Sequence, residues 1–174
     1  VVGLYYGKRQ LILTALVSIA LGAALHFLYQ WIPNWTTALI SPIRESLWEH
    51  VKLIFWPYLL SCLWLNRGRP GGARPWLLTL PCLCLLMLAL GYGYHILLGG
   101  DELWVDAAIY LLIMGLGFWL PTLFSGPFKG VRWVLPVVLV FVLGGLIALF
   151  TLWPPRLLLF SDLSPVGAWL QLPC

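Results

Sequence analysis

Four stretches of the chain stay apolar for about the length of a bilayer crossing: Leu11 to Trp31, Trp76 to Leu98, Leu103 to Phe124 and Val134 to Trp153. Each approaches the ~20 residues that a helix needs to traverse a hydrocarbon core. A fifth run, Leu53 to Leu65, is shorter, so a helix crossing there has to recruit polar positions upstream. The pattern predicts an all-α, polytopic transmembrane helix bundle of about five spans, near 11–31, 45–65, 76–98, 103–124 and 133–153. The connecting loops are short, and the whole of 1–174 reads as a single membrane domain. Beyond Trp153, residues 157–172 are interrupted by Asp162 and Pro165, which predicts an interfacial or re-entrant segment over the outer end of the bundle. Ser41 reads as the N-cap of the second span, with Pro42 at its first helical position. No internal repeat is visible, so solenoid and duplicated-transporter architectures gain no support.

Composition sharpens the class. Hydrophobic residues make up 61% of the 174 and charged residues 9%, against roughly 25% charged in soluble domains; mean hydropathy is +0.94. A water-soluble fold is excluded. The formal charge of +4 does not indicate nucleic acid, because the basic residues share no face. Lys8 and Arg9 precede the first span, Arg67, Arg69 and Arg74 fill the second loop, and Lys129 and Arg132 fill the fourth. By the positive-inside rule these alternate loops face the cytoplasm, giving a multi-pass plasma (inner) membrane protein with a cytoplasmic N-terminus. Tryptophans fit that placement: Trp64, Trp76 and Trp133 mark the inner boundary, and Trp31, Trp35, Trp104 and Trp153 the outer. The first apolar run exceeds the usual ~7 to 15 residues of a signal-peptide core and reads as a retained helix. Cys62, Cys82, Cys84 and Cys174 lack disulfide or zinc spacing and read as packing residues.

With the topology set, the ionisable residues fall at one level. Counting about 20 residues outward from each basic flank places His26, Glu45, Glu49, His50, Lys52, His95 and Asp106 near the outer boundary of four different helices. At about 100° per residue, Glu45, Glu49 and Lys52 form one stripe, with Ser46 and His50 on an adjacent one. The bland reading is a set of spaced ion pairs in a wet interface. Against it, ionisable residues inside a membrane are costly and mark functional interiors, and three histidines converge here. Zinc takes imidazole nitrogen and carboxylate oxygen, and a catalytic site keeps a water in an open position. His26, His50 and His95 are the expected ligands, Glu45 or Glu49 a fourth ligand or general base, Asp106 the partner that orients a histidine, and Lys52 the stabiliser of an oxyanion. That arrangement suits a zinc-dependent membrane hydrolase acting on lipid or lipid-linked substrate. The alternatives are a proton- or ion-coupled small-solute transporter or channel, and a structural subunit of a membrane complex. The expected partners are the lipid bilayer, a lipid or small-molecule ligand, and other membrane chains or copies of this one.

Ser41 to Pro57, with Ser-Pro-x-x-Glu-Ser-x-Trp-Glu-His-x-Lys-Leu and a later Pro, resembles a family of small bacterial integral membrane proteins of unknown function. His26-Phe27-Leu28-Tyr29 is similar to the same family, whose pattern often has Asn where this chain has Arg44. The resemblance implies a bacterial membrane setting and no particular activity. His95 and Asp106, spaced around Gly99 and Gly100, also resemble part of the zinc site of ceramidase-type membrane hydrolases. The late His-x-x-x-His pair of those enzymes has no counterpart here.

Overall fold

Every regular element among the described residues, 6–69 and 71–163, is helical in the computed structural model. α1 spans Lys8–Trp31, α2 Trp35–Ile40 and α3 Leu47–Leu65. α4, Arg74–Gly91, runs on into a π-helical turn, Tyr92–Leu97, and α5, Leu103–Trp119, into a 3-10 turn, Leu120–Leu123. A 3-10 turn, Val131–Trp133, leads into α6, Leu135–Leu152, and another, Leu158–Phe160, follows it. Among the described residues, four continuous stretches are long and apolar enough to cross a membrane: Lys8–Trp31, Arg74–Leu97, Leu103–Leu123 and Val131–Leu152.

α3 is the axis around which these four are arranged. Val51, Ile54, Phe55, Tyr58 and Cys62 are almost fully buried, and so are its two charged residues, Glu49 and Lys52. The apolar helices instead expose much of their surface, as at Val17 on α1, Leu112 on α5 and Phe141 on α6. The division follows from solvation. Lipid is a poor environment for charge and a good one for leucine, so the helix with polar residues takes the interior. With 19 residues at ~1.5 Å each, α3 runs the length of the bundle. Its first turn lies beside His26, and its end beside Tyr6.

Packing rather than hydrophobic transfer holds such helices together in lipid. Tyr58, Trp76 and Phe118 interlock from α3, α4 and α5, with ring centroids 5.6 to 5.8 Å apart. The Tyr58 hydroxyl donates to the Gly117 carbonyl at 2.7 Å. At the end bearing the basic loops, the Tyr6 hydroxyl donates to Asn66 and accepts from Trp76 Nε1 at 3.1 Å, under the Arg69 guanidinium. Burial pushes the Tyr6 phenol pKa up, so it stays protonated in that role.

Several local expectations are corrected. α3 begins at Leu47 with Ser46 as its N-cap, whose side chain accepts from the Glu49 amide at 3.3 Å. Ser41 instead closes α2, a short helix in the connection between α1 and α3. α2 is held by a capping box in which Asn34 accepts from the Thr37 amide and Thr37 from the Asn34 amide. Trp76 is a buried core residue, because its ring fills the space between Tyr6, Tyr58 and Phe118. Of the expected segment 157–172, the described part packs Phe160 on Trp48 and Phe150, and the Leu163 amide donates to the Glu45 carbonyl at 2.8 Å. Residues 164–172 lie outside the described residues. Cys62 and Cys84 are buried and unpaired, Cys82 is exposed, and Cys174 lies outside the described residues.

Candidate functional site

At the end of the bundle opposite the basic loops, α1, α3, α4, α5 and the π-helical turn line a cavity of about 470 Å³. Its polar lining is His26, Glu45, His50, His95, Asp101 and Asp106, and its base is apolar, with Leu53, Ile54, Met87 and Ile109. The three histidines, which come from three helices, thus share one space.

The inner part of the lining is built from the start of α3. Ser46, as N-cap, has extended backbone, and its carbonyl accepts from the His50 amide at 3.2 Å. The same oxygen lies 2.8 Å from His50 Nδ1. A carbonyl has no hydrogen to give, so Nδ1 is the protonated nitrogen. The lone pair of the neutral ring is then on Nε2, which points into the cavity 3.4 Å from Glu45 Oε2. Glu45 lies just ahead of the cap, outside the helix, and its other oxygen is 3.9 Å from His26 Nε2. The His26 and His50 rings are 5.4 Å apart. One ligand atom from each of His26, Glu45 and His50 falls within 4.8 Å of the others. To hold one divalent ion, with Zn–N and Zn–O bonds near 2.0 to 2.2 Å, these side chains have to draw in toward a common point.

His95 stands apart from that group. Its Nε2 lies 2.9 Å from Asp106 Oδ1 and its Nδ1 2.9 Å from the Gly100 carbonyl. A carbonyl only accepts, so Nδ1 carries a hydrogen, and Nε2 is engaged by the carboxylate. Neither nitrogen has a free lone pair for a metal in this arrangement. The geometry rests on the loop after the π-helical turn. Gly99 has φ of +66°, a conformation open to glycine, and Gly100 sits against the Tyr94 ring with no room for a Cβ. The Gly100 amide donates to the Tyr94 carbonyl at 3.0 Å, which brings its own carbonyl back to His95.

Glu49 and Lys52, grouped with Glu45 by helical periodicity, do not line this cavity. Lys52 Nζ donates to Glu49 Oε2 at 2.6 Å, to the Ala38 carbonyl at 2.8 Å and to the Ser41 carbonyl at 3.3 Å. All three ammonium hydrogens are therefore used. Glu49 also accepts from the Ile43 amide at 3.0 Å and from Thr151 of α6 at 3.4 Å. The pair staples residues 38–43 to α3 and α6. The correction has a simple cause: Glu45 precedes the cap, so it is not on the helical stripe that holds Glu49 and Lys52. The Ser41 hydroxyl, which donates to the Leu25 carbonyl and accepts from the Tyr29 amide at 3.1 Å, ties the same loop to α1 on either side of His26.

Asp101 and Tyr110 also line the cavity and were not singled out by sequence. Tyr110 had no charge to mark it, and Asp101 read as loop. Tyr110 donates to the Ile19 carbonyl at 3.2 Å and joins α1 to α5 at the inner end of the cavity.

Long apolar helices around a charged central helix, with polar side chains gathered in one cavity, define a multi-pass integral membrane protein. The chain belongs to the family of unknown function DUF6512, which matches residues 5–167. No curated protein and no solved structure matches it.

Proposed function

We propose that this chain is a zinc-dependent membrane hydrolase whose cavity opens on the non-cytoplasmic side and acts on a lipid or lipid-linked substrate. The observation that carries the reading is His50: its Nδ1 is fixed on Ser46, so Nε2 is presented as a ligand beside Glu45 and His26. Fixing one imidazole nitrogen on a carbonyl is how proteins set the tautomer of a metal ligand. Two histidines and one glutamate are a known catalytic zinc set, leaving a fourth position for water. His95 and Asp106, expected as ligand and orienting partner, serve here as a proton-holding pair.

The chemistry balances without a further reactant. Held by His26, Glu45 and His50, a zinc ion would supply an activated water for attack on a carbonyl or phosphoryl centre. As the scissile bond breaks, its electron pair would leave with the departing oxygen or nitrogen, to which the His95 and Asp106 pair would pass a proton, and the pair would then take one back from the attacking water, so that one water is consumed and no net proton remains on the site. The apolar base at Leu53, Ile54, Met87 and Ile109 favours this over a proton or ion path, which needs polar groups continuing through the bundle. The basic loops orient the bundle, by the positive-inside rule, with the cavity outward and the N-terminus in the cytoplasm.

Metal analysis of protein purified in detergent without chelators tests the reading. One zinc per chain, lost in His50→Ala, is expected. Purified protein that is folded and free of stoichiometric metal overturns it.

A further inference from the structure

We propose that the cavity opens sideways between α1 and α5 and receives the acyl chain of a glycerophospholipid from the adjoining leaflet, holding the headgroup linkage at His26, Glu45 and His50. α1 and α5 make close contact at one level. There Tyr110 donates to the Ile19 carbonyl at 3.2 Å, and its hydroxyl fills the space that a Cβ on Gly22 needs. Toward the histidine end the two helices present Ala23 and Phe27 on one lip and Leu103 and Ala107 on the other. All four line the cavity and all four are exposed, so they form its mouth. On each helix the pair is four residues apart and shares a face. The alanines leave the gap and the larger side chains border it.

The position of this mouth selects its occupant. Ala23 lies about 12 Å below the end of α1 and Ala107 about 6 Å below the start of α5, at ~1.5 Å per residue. These depths correspond to the chain region of one leaflet. Outside the mouth, the surfaces of both helices are apolar and exposed, as at Val17 and Leu112. Exposed Asp101 carries the cavity up to headgroup level, but the side opening lies in hydrocarbon, where a lipid chain is already present and a polar solute is not. Inside, a chain meets Leu53, Met87 and Ile109 while its linkage meets the polar group above.

The inference rests on the hydrolase reading for what happens at the linkage, and on the mouth alone for the chain. Proteoliposomes containing a phosphatidylcholine with a diazirine in mid-chain supply the test, with labelled peptides mapped by mass spectrometry. Labelling of the segments with Ala23 to Phe27 and Leu103 to Ala107 is expected to exceed that around Phe141 on α6 several-fold. Phe141 is 78% exposed and reports ordinary contact with bilayer lipid. Ala107→Trp, and independently Ala23→Trp on the opposite lip, should lower mouth labelling to the α6 level without changing zinc content. Mouth labelling no greater than that of α6, or untouched by both substitutions, overturns the proposal. Zinc without mouth labelling removes the slot alone, and mouth labelling without zinc removes the hydrolase reading alone.

Discussion

His50 and Ser46 are joined twice within one helical turn: the His50 amide donates to the Ser46 carbonyl at 3.2 Å, and Nδ1 donates to the same oxygen at 2.8 Å. The first bond belongs to any helix. The second turns an ordinary helical register into a device that sets which nitrogen faces the cavity.

Two substitutions separate the carbonyl of Ser46 from its hydroxyl. Ser46→Ala keeps the carbonyl and loses the cap to the Glu49 amide, so it should retain zinc and lower stability by about 1 kcal/mol. His50→Ala should weaken zinc binding by at least about tenfold, since even indirect partners of a metal ligand are worth ~10- to 100-fold. Zinc competition titrations with a chromogenic chelator, alongside thermal unfolding in detergent, read both effects.

Glu49 and Lys52 form a buried pair in which Lys52 is fully enclosed. Removing one partner leaves the other charge unpaired, at a cost of about 3 to 5 kcal/mol. Glu49→Gln or Lys52→Met should each lower the unfolding midpoint sharply, and the double variant should recover much of the loss. Equal destabilisation by single and double variants would contradict the staple.

Gly22 lies where α1 meets both the Leu53 carbonyl and the Tyr110 hydroxyl; a Cβ there would be 2.7 Å from the carbonyl. Gly22→Ala forces the helices apart, and overpacking of this kind costs about 1 to 3 kcal/mol. Tyr110→Phe removes the hydroxyl but leaves the ring carbon and the Leu53 carbonyl close to that Cβ, so it should recover part, not all, of the Gly22→Ala loss. Unfolding midpoints of the two single variants and the double variant check this.

Asp106→Asn leaves the size of the side chain unchanged while removing the carboxylate that pairs with His95 Nε2 at 2.9 Å. A positioned acid or base contributes roughly 10²- to 10⁴-fold. Once a substrate is found by screening bilayer lipids, Asp106→Asn should lower kcat by about that factor with zinc content intact. A parallel loss of zinc would mean that Asp106 serves the metal instead.

Much of this arrangement was legible in the chain, for reasons that also explain what was missed. Long apolar runs separated by charged loops reveal spans because lipid tolerates little else, and counting about 20 residues outward from the cytoplasmic end of each span brings His26, His50 and His95 to one level. That method measures depth along a helix but not the start of one. α3 begins at Leu47, two residues later than the expected span, and this shift sends Glu45 to the cavity and Glu49 with Lys52 to the staple. The choice of Ser46 over Ser41 as cap depends on the tertiary bonds of Ser41 to Leu25 and Tyr29, which no local pattern contains. The pairing of His95 with Gly100 and Asp106 likewise depends on a glycine turn folded against Tyr94.

X-ray absorption at the zinc edge, on protein purified with its native metal, tests the central claim most directly. The cluster of His26, His50 and Glu45 predicts two imidazole nitrogens near 2.0 to 2.1 Å and oxygen ligands near 2.0 to 2.2 Å, with imidazole scattering reduced to a single ring in His26→Ala. A spectrum dominated by sulfur at about 2.3 Å, or one unchanged by loss of His26, would place the metal elsewhere and contradict the site.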